Sequence, residues 1–350
     1  MKHGEHKQMK TEIFATFGPA CGDEKVLKEM IEAGMTGMRL NLSHTTLSAS
    51  ETYIRTYQNV AKEADIKPQI LIDMQGPELR VGNLKSAATL EEDATVILCT
   101  QEIYEMKWNF SESSWIPVPI AVVNDINVGD EILIDDGKIL LEVYDTSSKE
   151  IFTKVVRGGV LYSHKSIKVK NKNIKMPPLT SHDIENIKLA KKYGVTALMQ
   201  PFVLQGDDLK YVRGVLKEYG AEDIQIYAKI ENKLGIENLE SILEEADAII
   251  IARGDLGNDM PLWELPKAQK QVERACKKTN VPYVVVTQML ASMEEHPVPT
   301  RAEVSDIYHA VYHGAWGVMI TGETAVGKYP VEAVRYLTNT AKEAKEDCKE

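Results

Sequence analysis

Short apolar runs alternate with longer amphipathic patterns along most of the chain. Most of these runs are continuously apolar, which is typical of strands that are buried on both faces. The predicted strands cover residues 12–17, 37–42, 69–74, 197–202, 224–230, 248–252, 283–287 and 317–321.

Helical patterns occupy the intervals between these runs. An apolar stripe at helical spacing through residues 26–31 is followed by Gly34, a common residue at helix ends. Thr300 and Glu303 stand at the spacing of a capping box, which marks a helix start. Eight strand-helix units predict an α/β fold, a (β/α)8 TIM barrel, with an open doubly wound sheet as the alternative.

One interval, between the third and fourth predicted strands, breaks this rhythm. Residues 82–172 alternate or run apolar in short pieces, and the Asp136-Gly137 pair between apolar runs is a hairpin signal. We therefore predict an all-β lid domain inserted after the third strand, at the catalytic face of the barrel. The predicted domains are 1–82 and 173–350 for the barrel and 83–172 for the lid.

Composition narrows the class of protein. The chain has 350 residues, of which 43% are hydrophobic, enough for a large core and an extra domain. The net charge of −11 argues against a nucleic-acid or anionic-membrane partner. No apolar segment approaches the roughly 18 residues of a membrane span, and the first residues do not resemble a signal peptide. Free thiols in a reducing cytoplasm are predicted for the four scattered cysteines, Cys21, Cys99, Cys276 and Cys348.

Polar residues cluster where the predicted strands end, and in a (β/α)8 barrel the carboxyl ends of the strands form the active-site face. Several of them begin within the apolar runs, where a charge is costly unless it meets a partner or ligand. The alternative is that these segments are ordinary polar loops. The residues in question are Arg39, Asn41, Ser43, His44, Asp73, Glu78, Arg80, Lys229, Glu231, Arg253, Gly254, Asp255, Thr287, Gln288, Thr321 and Glu323.

The residue types suggest a chemistry. Glu231 and Asp255 offer hard oxygen ligands without sulfur or imidazole, which suits Mg²⁺ or Mn²⁺. Lys229 stands two residues before Glu231 on the same strand, so both side chains face one side. A cation beside a metal-bound carboxylate suits a phosphoryl group in transfer. Arg39 and Arg80 can bind phosphate oxygens in a bidentate way.

Two further groups support binding of small ions at the same face. Gly254 would let backbone N–H groups approach a carboxylate or phosphate closely. Asn41, Ser43 and Asp73 form a second cluster that contains only oxygen ligands, which favours a monovalent cation.

Eight stretches of the sequence together resemble the pyruvate kinase family, in the family's order and over nearly the whole chain. They are "TFGPACGDEKVLKEMIEAGMTGMRLNLSH", "IDMQGPELRVG", "VGDEILIDDGKI", "AKIEN", "ARGDLG", "VTQMLASM", "PTRAEVSD" and "TGETAVGKYPVEAV". The resemblance implies a (β/α)8 barrel with a β-rich domain over its site. It also implies phosphoryl transfer from phosphoenolpyruvate to ADP, which gives pyruvate and ATP and requires Mg²⁺ and K⁺.

The resemblance implies roles for the substrate side of the site. Lys229 would stabilise the phosphoryl group in transfer, and Glu231 and Asp255 would hold Mg²⁺. Thr287 and ordered water would protonate the enolate. Phosphoenolpyruvate would be bound by Arg39, Lys229, Gly254, Asp255 and Thr287.

Further implied roles concern the nucleotide and the monovalent cation. Arg80 and Lys165 would bind the nucleotide phosphates, and Glu323 would support the site from the eighth strand. Glu78 matches the family form that needs K⁺. The K⁺ ligands would be Asn41, Ser43, Asp73 and the backbone of Met74.

The sequence departs from the family pattern in four places. It ends just after the eighth barrel helix, so we expect a short form without the C-terminal effector domain. Met74 and Gln75 replace a threonine and a lysine, and residues 168–171 replace an Asn-Leu-Pro-Gly run. Pro201 and Leu204 replace a serine and an arginine.

Two other functions stay open. The first is a catalytically weak paralogue that binds phosphoenolpyruvate or pyruvate as a sensor or scaffold. The second is another barrel enzyme, an aldolase or lyase, against which Arg80 and the lid argue. We expect a cytoplasmic protein whose partners are phosphoenolpyruvate, ADP, ATP and pyruvate, without nucleic-acid or membrane partners, and a homo-oligomer assembled through the barrel is compatible with this.

Overall fold

The structure, a computed structural model, describes residues 11–43, 45–107, 114–135, 137–170, 172 and 174–348. The chain divides into two compact units. One holds Met1–Gly76 and Pro178–Glu350, and the other holds Pro77–Pro177. The lid boundaries predicted from the sequence, 83–172, fall inside the second unit.

In the described part of the first unit, three strands and two helices alternate before the second unit. They are β1 (Glu12–Thr16), α1 (Glu24–Glu32), β2 (Gly37–Asn41), α2 (Glu51–Glu63) and β3 (Gln69–Asp73).

The second unit is β-rich, as predicted, and its described residues also include two short helices, which the prediction of an all-β domain did not include. Its strands are β4 (Ala88–Leu90), β5 (Thr95–Cys99), β6 (Ser114–Pro117), β7 (Glu131–Ile134), β8 (Ile139–Thr146), β9 (Glu150–Arg157), β10 (Gly159–Leu161) and β11 (Ile167–Val169), and its helices are α3 (Gln101–Lys107) and α4 (Ile120–Asp125).

The chain then completes the first unit. The elements are α5 (Ser181–Ala190), β12 (Ala197–Gln200), α6 (Gly206–Glu218), β13 (Gln225–Ile230), α7 (Lys233–Glu237), α8 (Leu239–Glu245), β14 (Ala248–Ala252), α9 (Arg253–Asp259), α10 (Leu265–Thr279), β15 (Tyr283–Val286), α11 (Arg301–Tyr312), β16 (Gly317–Met319), α12 (Gly322–Ala325) and α13 (Pro330–Asp347).

The strands of the first unit form a closed parallel barrel in the order β1-β16-β15-β14-β13-β12-β3-β2. This confirms the predicted (β/α)8 barrel and excludes the open doubly wound sheet. All eight predicted strands are present, and six of them end one or two residues earlier than predicted. In these six strands, the residues that were predicted as strand but lie outside the observed strand are at its carboxyl end. They belong instead to the loops of the candidate site.

The barrel strands bury both of their faces, which explains their continuous apolar runs. Ile250 and Val284 belong to the core inside the barrel. The neighbouring Ile249 and Ile251 point the other way and join the larger core between the strands and the surrounding helices. Each fully buried aliphatic side chain contributes about 1.5–3 kcal/mol to folding, so this alternation stabilises both layers.

The second unit has its own hydrophobic core, to which Val96, Ile132 and Leu141 belong. Its larger sheet has the order β11-β7-β8-β9-β5-β6, and β10 pairs with β4 in a smaller sheet. The predicted hairpin is present, because β7 and β8 are antiparallel and Ile134 lies opposite Ile139. Gly137 of the turn has φ +82°, and Asp136 lies outside the described residues.

Among the described residues, no helix has both the length and the apolar character needed to cross a bilayer. The four cysteines are free thiols, as predicted, and three of them are buried.

Candidate active site

Lys229 lies at the centre of a buried charge cluster at the carboxyl ends of the barrel strands. Its Nζ is 2.8 Å from Oε1 of Glu231 and 3.2 Å from Oδ1 of Asp73. The Lys229 side chain is only 13% exposed, and both carboxylates are buried. The structure therefore brings together the lysine of β13, the glutamate that follows it and the aspartate that ends β3.

The ionisation of this cluster reflects a balance between burial and pairing. Burial alone would lower the pKa of Lys229, but Asp73 and Glu231 outweigh it and raise that pKa. Burial would likewise raise the pKa of Asp73, but Lys229 and Arg39 bring it below its usual value. Burial raises the pKa of Glu231, and the negative charge of Asp255 adds to the increase. Lys229 is therefore a permanent cation at neutral pH.

Arg39 completes the cluster from β2. Its Nε and Nη2 donate to Oδ2 of Asp73 at 2.8 and 2.6 Å, and its Nη1 donates to Oγ1 of Thr16 at 3.1 Å. Thr16 donates its own hydroxyl to the carbonyl of Ile320. The Arg39 side chain, only 12% exposed, is thus fixed in orientation by contacts with β1 and β3.

Glu231 is held by a backbone group as well as by Lys229. Its Oε2 accepts the N–H of Phe202 at 2.8 Å. Phe202 has φ +55°, a conformation that non-glycine residues rarely adopt. Pro201 lies directly before it and packs so closely on Gly76 that a Cβ at position 76 would clash with Cγ of Pro201. Pro201, a departure from the family pattern, therefore packs against the loop that follows β3.

The loops after β14 and β15 lie side by side. Asp255 is an exposed residue in the first turn of α9, and a Cβ at Gly254 would lie 3.0 Å from Cγ2 of Thr287. Thr287 has φ +78° and Gln288 has φ +53°. Such a backbone is strained for a β-branched residue and requires support from its surroundings.

Arg253 provides much of that support. Its Nη2 and Nε donate to the carbonyl of Thr287 at 2.7 and 3.2 Å, and its Nη1 lies 2.6 Å from Oδ2 of Asp306 on α11. The sequence placed Arg253 at a strand end but gave it no role. Its contact with Asp306 spans more than fifty positions, so local spacing could not have revealed it.

Glu323 also bonds the loop that follows β15. Its Oε1 accepts the N–H of Leu290 at 3.0 Å, and its Oε2 accepts the N–H of Thr321 at 2.6 Å. The side chain is buried, with 1% exposure. This buried carboxylate therefore bonds the loops that follow β15 and β16 to each other, and the supporting role expected for it stays a prediction.

The residues expected to bind K⁺ lie at the ends of β2 and β3 and in the two loops that follow them, and these segments contact each other. Asn41 accepts the N–H of Ser43 through its Oδ1 at 3.1 Å, and the N–H of Leu42 donates to the carbonyl of Asp73 at 2.9 Å. The N–H of Met74 donates to the carbonyl of Met199 at 3.1 Å. His44, the next residue of the first loop, lies outside the described residues.

Two buried oxygens in the cluster have unused capacity for a cation. Oδ1 of Asp73 and Oε1 of Glu231 accept no well-directed hydrogen bond from the described residues, and their contact is the ion pair with Lys229. The oxygen donors around Asp73 fit a hard monovalent cation, and Glu231 with Asp255 fits Mg²⁺ or Mn²⁺. Within the described residues there is no group of three or more His, Cys, Asp or Glu side chains arranged for a metal.

The second unit contains the residues expected to bind nucleotide. Nη2 of Arg80 lies 2.7 Å from Oε1 of Glu78, and its Nη1 donates to the carbonyl of His164. Nζ of Lys165 lies 2.9 Å from Oδ1 of Asp135, whose other oxygen faces Lys138.

The structure also describes two other residues at which the sequence departs from the family pattern, Leu204 and Lys168. Leu204 donates its N–H to Asp208, at the start of α6. Lys168 lies in β11, opposite Leu133. Asn171 lies outside the described residues.

The fold and the site define a (β/α)8-barrel protein with a charged cluster at the carboxyl ends of its strands. A family model for the barrel domain of pyruvate kinase matches residues 8–334. The chain therefore belongs to the pyruvate kinase family.

Curated relatives agree with this assignment. A pyruvate kinase of Staphylococcus aureus (strain MRSA252) is 38% identical over 345 residues, which cover 97% of this chain and 58% of the relative. One of Geobacillus stearothermophilus is 38% identical over 335 residues, 95% of this chain and 56% of the relative. One of Thermococcus litoralis is 39% identical over 342 residues, 96% of this chain and 70% of the relative. The chain thus spans little more than half the length of the first two relatives.

Proposed function

We propose that the protein transfers the phosphoryl group of phosphoenolpyruvate to ADP. The observation that supports this best is the ammonium group of Lys229, buried between Asp73 and Glu231. A fixed cation in a place of low dielectric stabilises the negative charge that develops on a phosphoryl group in transfer.

The reaction breaks the bond between phosphorus and the enol oxygen of phosphoenolpyruvate, which leaves as the enolate, and forms a bond between phosphorus and a terminal phosphate oxygen of ADP. Arg39, already oriented by Asp73 and Thr16, would bind the phosphate of phosphoenolpyruvate. Lys229 would neutralise the equatorial oxygens during transfer. The electron pair released with the enolate would then take a proton at carbon to give pyruvate, with Thr287 and water orienting that proton.

Cations would complete the site. Mg²⁺ or Mn²⁺ would neutralise phosphate charge, held by Glu231 and Asp255, while the Gly254 backbone and Thr287 would bind the carboxylate of phosphoenolpyruvate. The K⁺ ligands would be Asn41, Ser43, Asp73 and the carbonyl of Met74.

The nucleotide is assigned to residues of the second unit. Arg80 and Lys165 would bind phosphates of ADP, and each now has a carboxylate partner that a phosphate could replace. Glu78, the partner of Arg80, is the basis for the expected K⁺ requirement. A cytoplasmic location and a homo-oligomer stay predictions.

A coupled assay for pyruvate tests the proposal, with ADP, phosphoenolpyruvate, Mg²⁺ and K⁺ present. Lys229→Met should lower turnover by at least about 10²-fold, because it removes a buried transition-state charge. The control is Lys210→Met, which removes an exposed lysine paired with Asp207 on α6 and should leave turnover unchanged. Equal turnover of wild type and Lys229→Met would refute the role of Lys229. In a separate assay of the wild type, leaving out K⁺ should lower the rate of pyruvate formation.

A second candidate is a protein that binds phosphoenolpyruvate or pyruvate without turning it over. The replacement of the family's lysine by Gln75, beside the buried cluster, favours this reading because it removes positive charge. Calorimetric binding of phosphoenolpyruvate by a wild type that makes no pyruvate would support it. Turnover well above background would exclude it.

A further inference from the structure

The first turn of α5 contacts the loop that follows β3. Asp183, in this turn, has a side chain with no exposed surface. Its Oδ1 accepts the N–H of Gln75 at 2.8 Å, and its Oδ2 accepts the N–H of Gly76 at 3.1 Å. The carboxylate therefore bonds the chain two and three residues after Asp73, which belongs to the buried charge cluster.

The same carboxylate is itself fixed at the start of the helix. Its Oδ2 also accepts the N–H and the hydroxyl of Thr180, at 2.8 and 2.7 Å. Gly76 has φ +65°, so the N–H groups of two successive residues converge on one anion, as in the backbone concavities that bind phosphate. Here the anion is the Asp183 side chain of the protein itself. Its hydrogen bonds fix the conformation of the backbone that follows β3.

Two neighbours of Asp183 hold the loop that follows β2. Nε2 of His182 lies 3.0 Å from the carbonyl of Leu42 and 3.2 Å from that of Thr45, so it donates to this pair of acceptors. Oδ1 of Asn186, a buried residue, accepts the N–H of Leu47 at 2.9 Å.

We infer that the start of α5 is the positioning element of the monovalent-cation site, with Asp183, His182 and Asn186 as positioning residues. The inference rests on the proposed function, because it takes Asn41, Ser43, Asp73 and the carbonyl of Met74 as the K⁺ ligands. Asn41 and Asp73 end β2 and β3, and Ser43 and Met74 lie in the two loops that follow, which α5 holds. Side chains that orient metal ligands typically account for about 10- to 100-fold in affinity.

Asp183→Asn is the first test, because it keeps the size of the side chain but turns an acceptor into an NH₂ donor that faces backbone N–H groups. Amide hydrogen exchange, followed by mass spectrometry, should become at least about tenfold faster at Gln75 and Gly76. The K⁺ concentration that gives half of the thermal stabilisation by K⁺ should rise about tenfold or more, with tetramethylammonium as the reference salt.

Asp208→Asn is the matched control. Asp208 occupies the same position in the capping box of α6 and accepts the N–H groups of Leu204 and Gln205 through its Oδ2. This variant loses a capping carboxylate but touches neither of the two loops. Exchange at Gln75 and Gly76 and the K⁺ midpoint should both stay at the wild-type values.

Asn186→Ala provides an independent test if Asp183→Asn does not fold. It should speed exchange at Leu47 and raise the K⁺ midpoint in the same direction. The inference is overturned if the variant that folds shows wild-type exchange at its own loop and a wild-type K⁺ midpoint, or if Asp208→Asn raises the midpoint equally.

The two proposals can fail separately. A wild type that makes no pyruvate, but whose exchange and K⁺ midpoint respond to Asp183→Asn as described, would leave the positioning role intact and refute the enzymatic function. A wild type that makes pyruvate, but whose exchange and K⁺ midpoint do not respond, would refute the positioning role alone.

Discussion

Gly254 shows how closely the candidate site is packed at the level of single residues. A Cβ at this position would lie 3.0 Å from Cγ2 of Thr287 and 3.6 Å from its Oγ1. Thr287 cannot give way freely, because Arg253 holds its carbonyl and its backbone is already in the left-handed region. An added methyl group would therefore move the threonine hydroxyl by a few tenths of an ångström.

Gly254→Ala should separate activity from stability. We expect pyruvate formation to fall at least about tenfold, since small displacements of a positioned group are costly in catalysis. The free energy of unfolding should change by less than about 1 kcal/mol. Alanine stabilises the helical state of α9 relative to glycine by about that amount, which offsets the cost of the close contact with Thr287. Steady-state rates and urea unfolding measure the two effects.

Gly257→Ala is the control for this prediction. It lies in the same helix, and its new Cβ would meet the flexible end of Leu262 at 3.3 Å. Full activity is expected there. An active Gly254→Ala, or an inactive Gly257→Ala, would contradict the assignment of Thr287 to the substrate.

Residue conformations were the part of the site that the sequence could not predict. Lysine, glutamate and aspartate at strand ends were visible as residue types at informative spacing. The positive φ angles of Phe202 and Thr287 were not, because neither residue type favours them and each depends on a distant partner, Glu231 or Arg253.

At the level of elements, the strands were predictable because burial on both faces leaves a continuous apolar run. Their carboxyl ends were overestimated, since Leu42 and Met74 are buried although they lie beyond β2 and β3. The role of α5 was not predictable, because the contact of Asp183 with Gly76 spans 107 positions. The capping box of α11, by contrast, is local, and the structure confirms it at Thr300 and Glu303.

Glu303 connects this cap to the loop after β15. Its carboxylate accepts the N–H of Ser292 at 2.8 Å and the hydroxyl at 2.6 Å, in addition to the N–H of Thr300 at 2.8 Å. Burial would raise its pKa, but the bonds from Ser292 and Thr300 outweigh burial and lower the pKa from its ordinary 4.5.

Glu303→Gln should destabilise the protein by about 1–2 kcal/mol at pH 7, the usual effect of weakening hydrogen bonds to a charged group. A lowered pKa in the folded state means that the stabilisation is fully present above the unfolded value and is lost as the pH falls through the folded value. The difference from wild type should therefore shrink below about pH 4.5. Urea unfolding at several pH values measures it.

The control is Glu332→Gln, which removes the charge of a surface residue paired loosely with Arg335 at 3.7 Å. It should change stability by less than about 0.5 kcal/mol at any pH. A Glu303→Gln effect that stays constant or grows toward acid would contradict the assigned pKa.

For the whole molecule, the sequence indicated both the barrel and the place of the insertion, because helical periodicity disappears between the third and fourth barrel strands. The structure adds that each unit has its own core and that the barrel closes through pairing of β3 with β12, on either side of the insertion. The N–H groups of Gly76 and Thr180 both bond Oδ2 of Asp183. The chain thus leaves and re-enters the barrel at one point.

Replacing Pro77–Pro177 by a short glycine-serine linker should therefore leave a folded barrel. We expect cooperative urea unfolding and retained exchange protection at Gln75 and Gly76, because the core and the Asp183 contacts lie within the remaining unit. Pyruvate formation should fall to background, since Arg80 and Lys165 are removed with the second unit. The same linker inserted after Gly220, a turn glycine at which an added Cβ would meet open space, is the control and should preserve both properties. Loss of cooperative unfolding in the shortened chain alone would show that the barrel needs the second unit to fold.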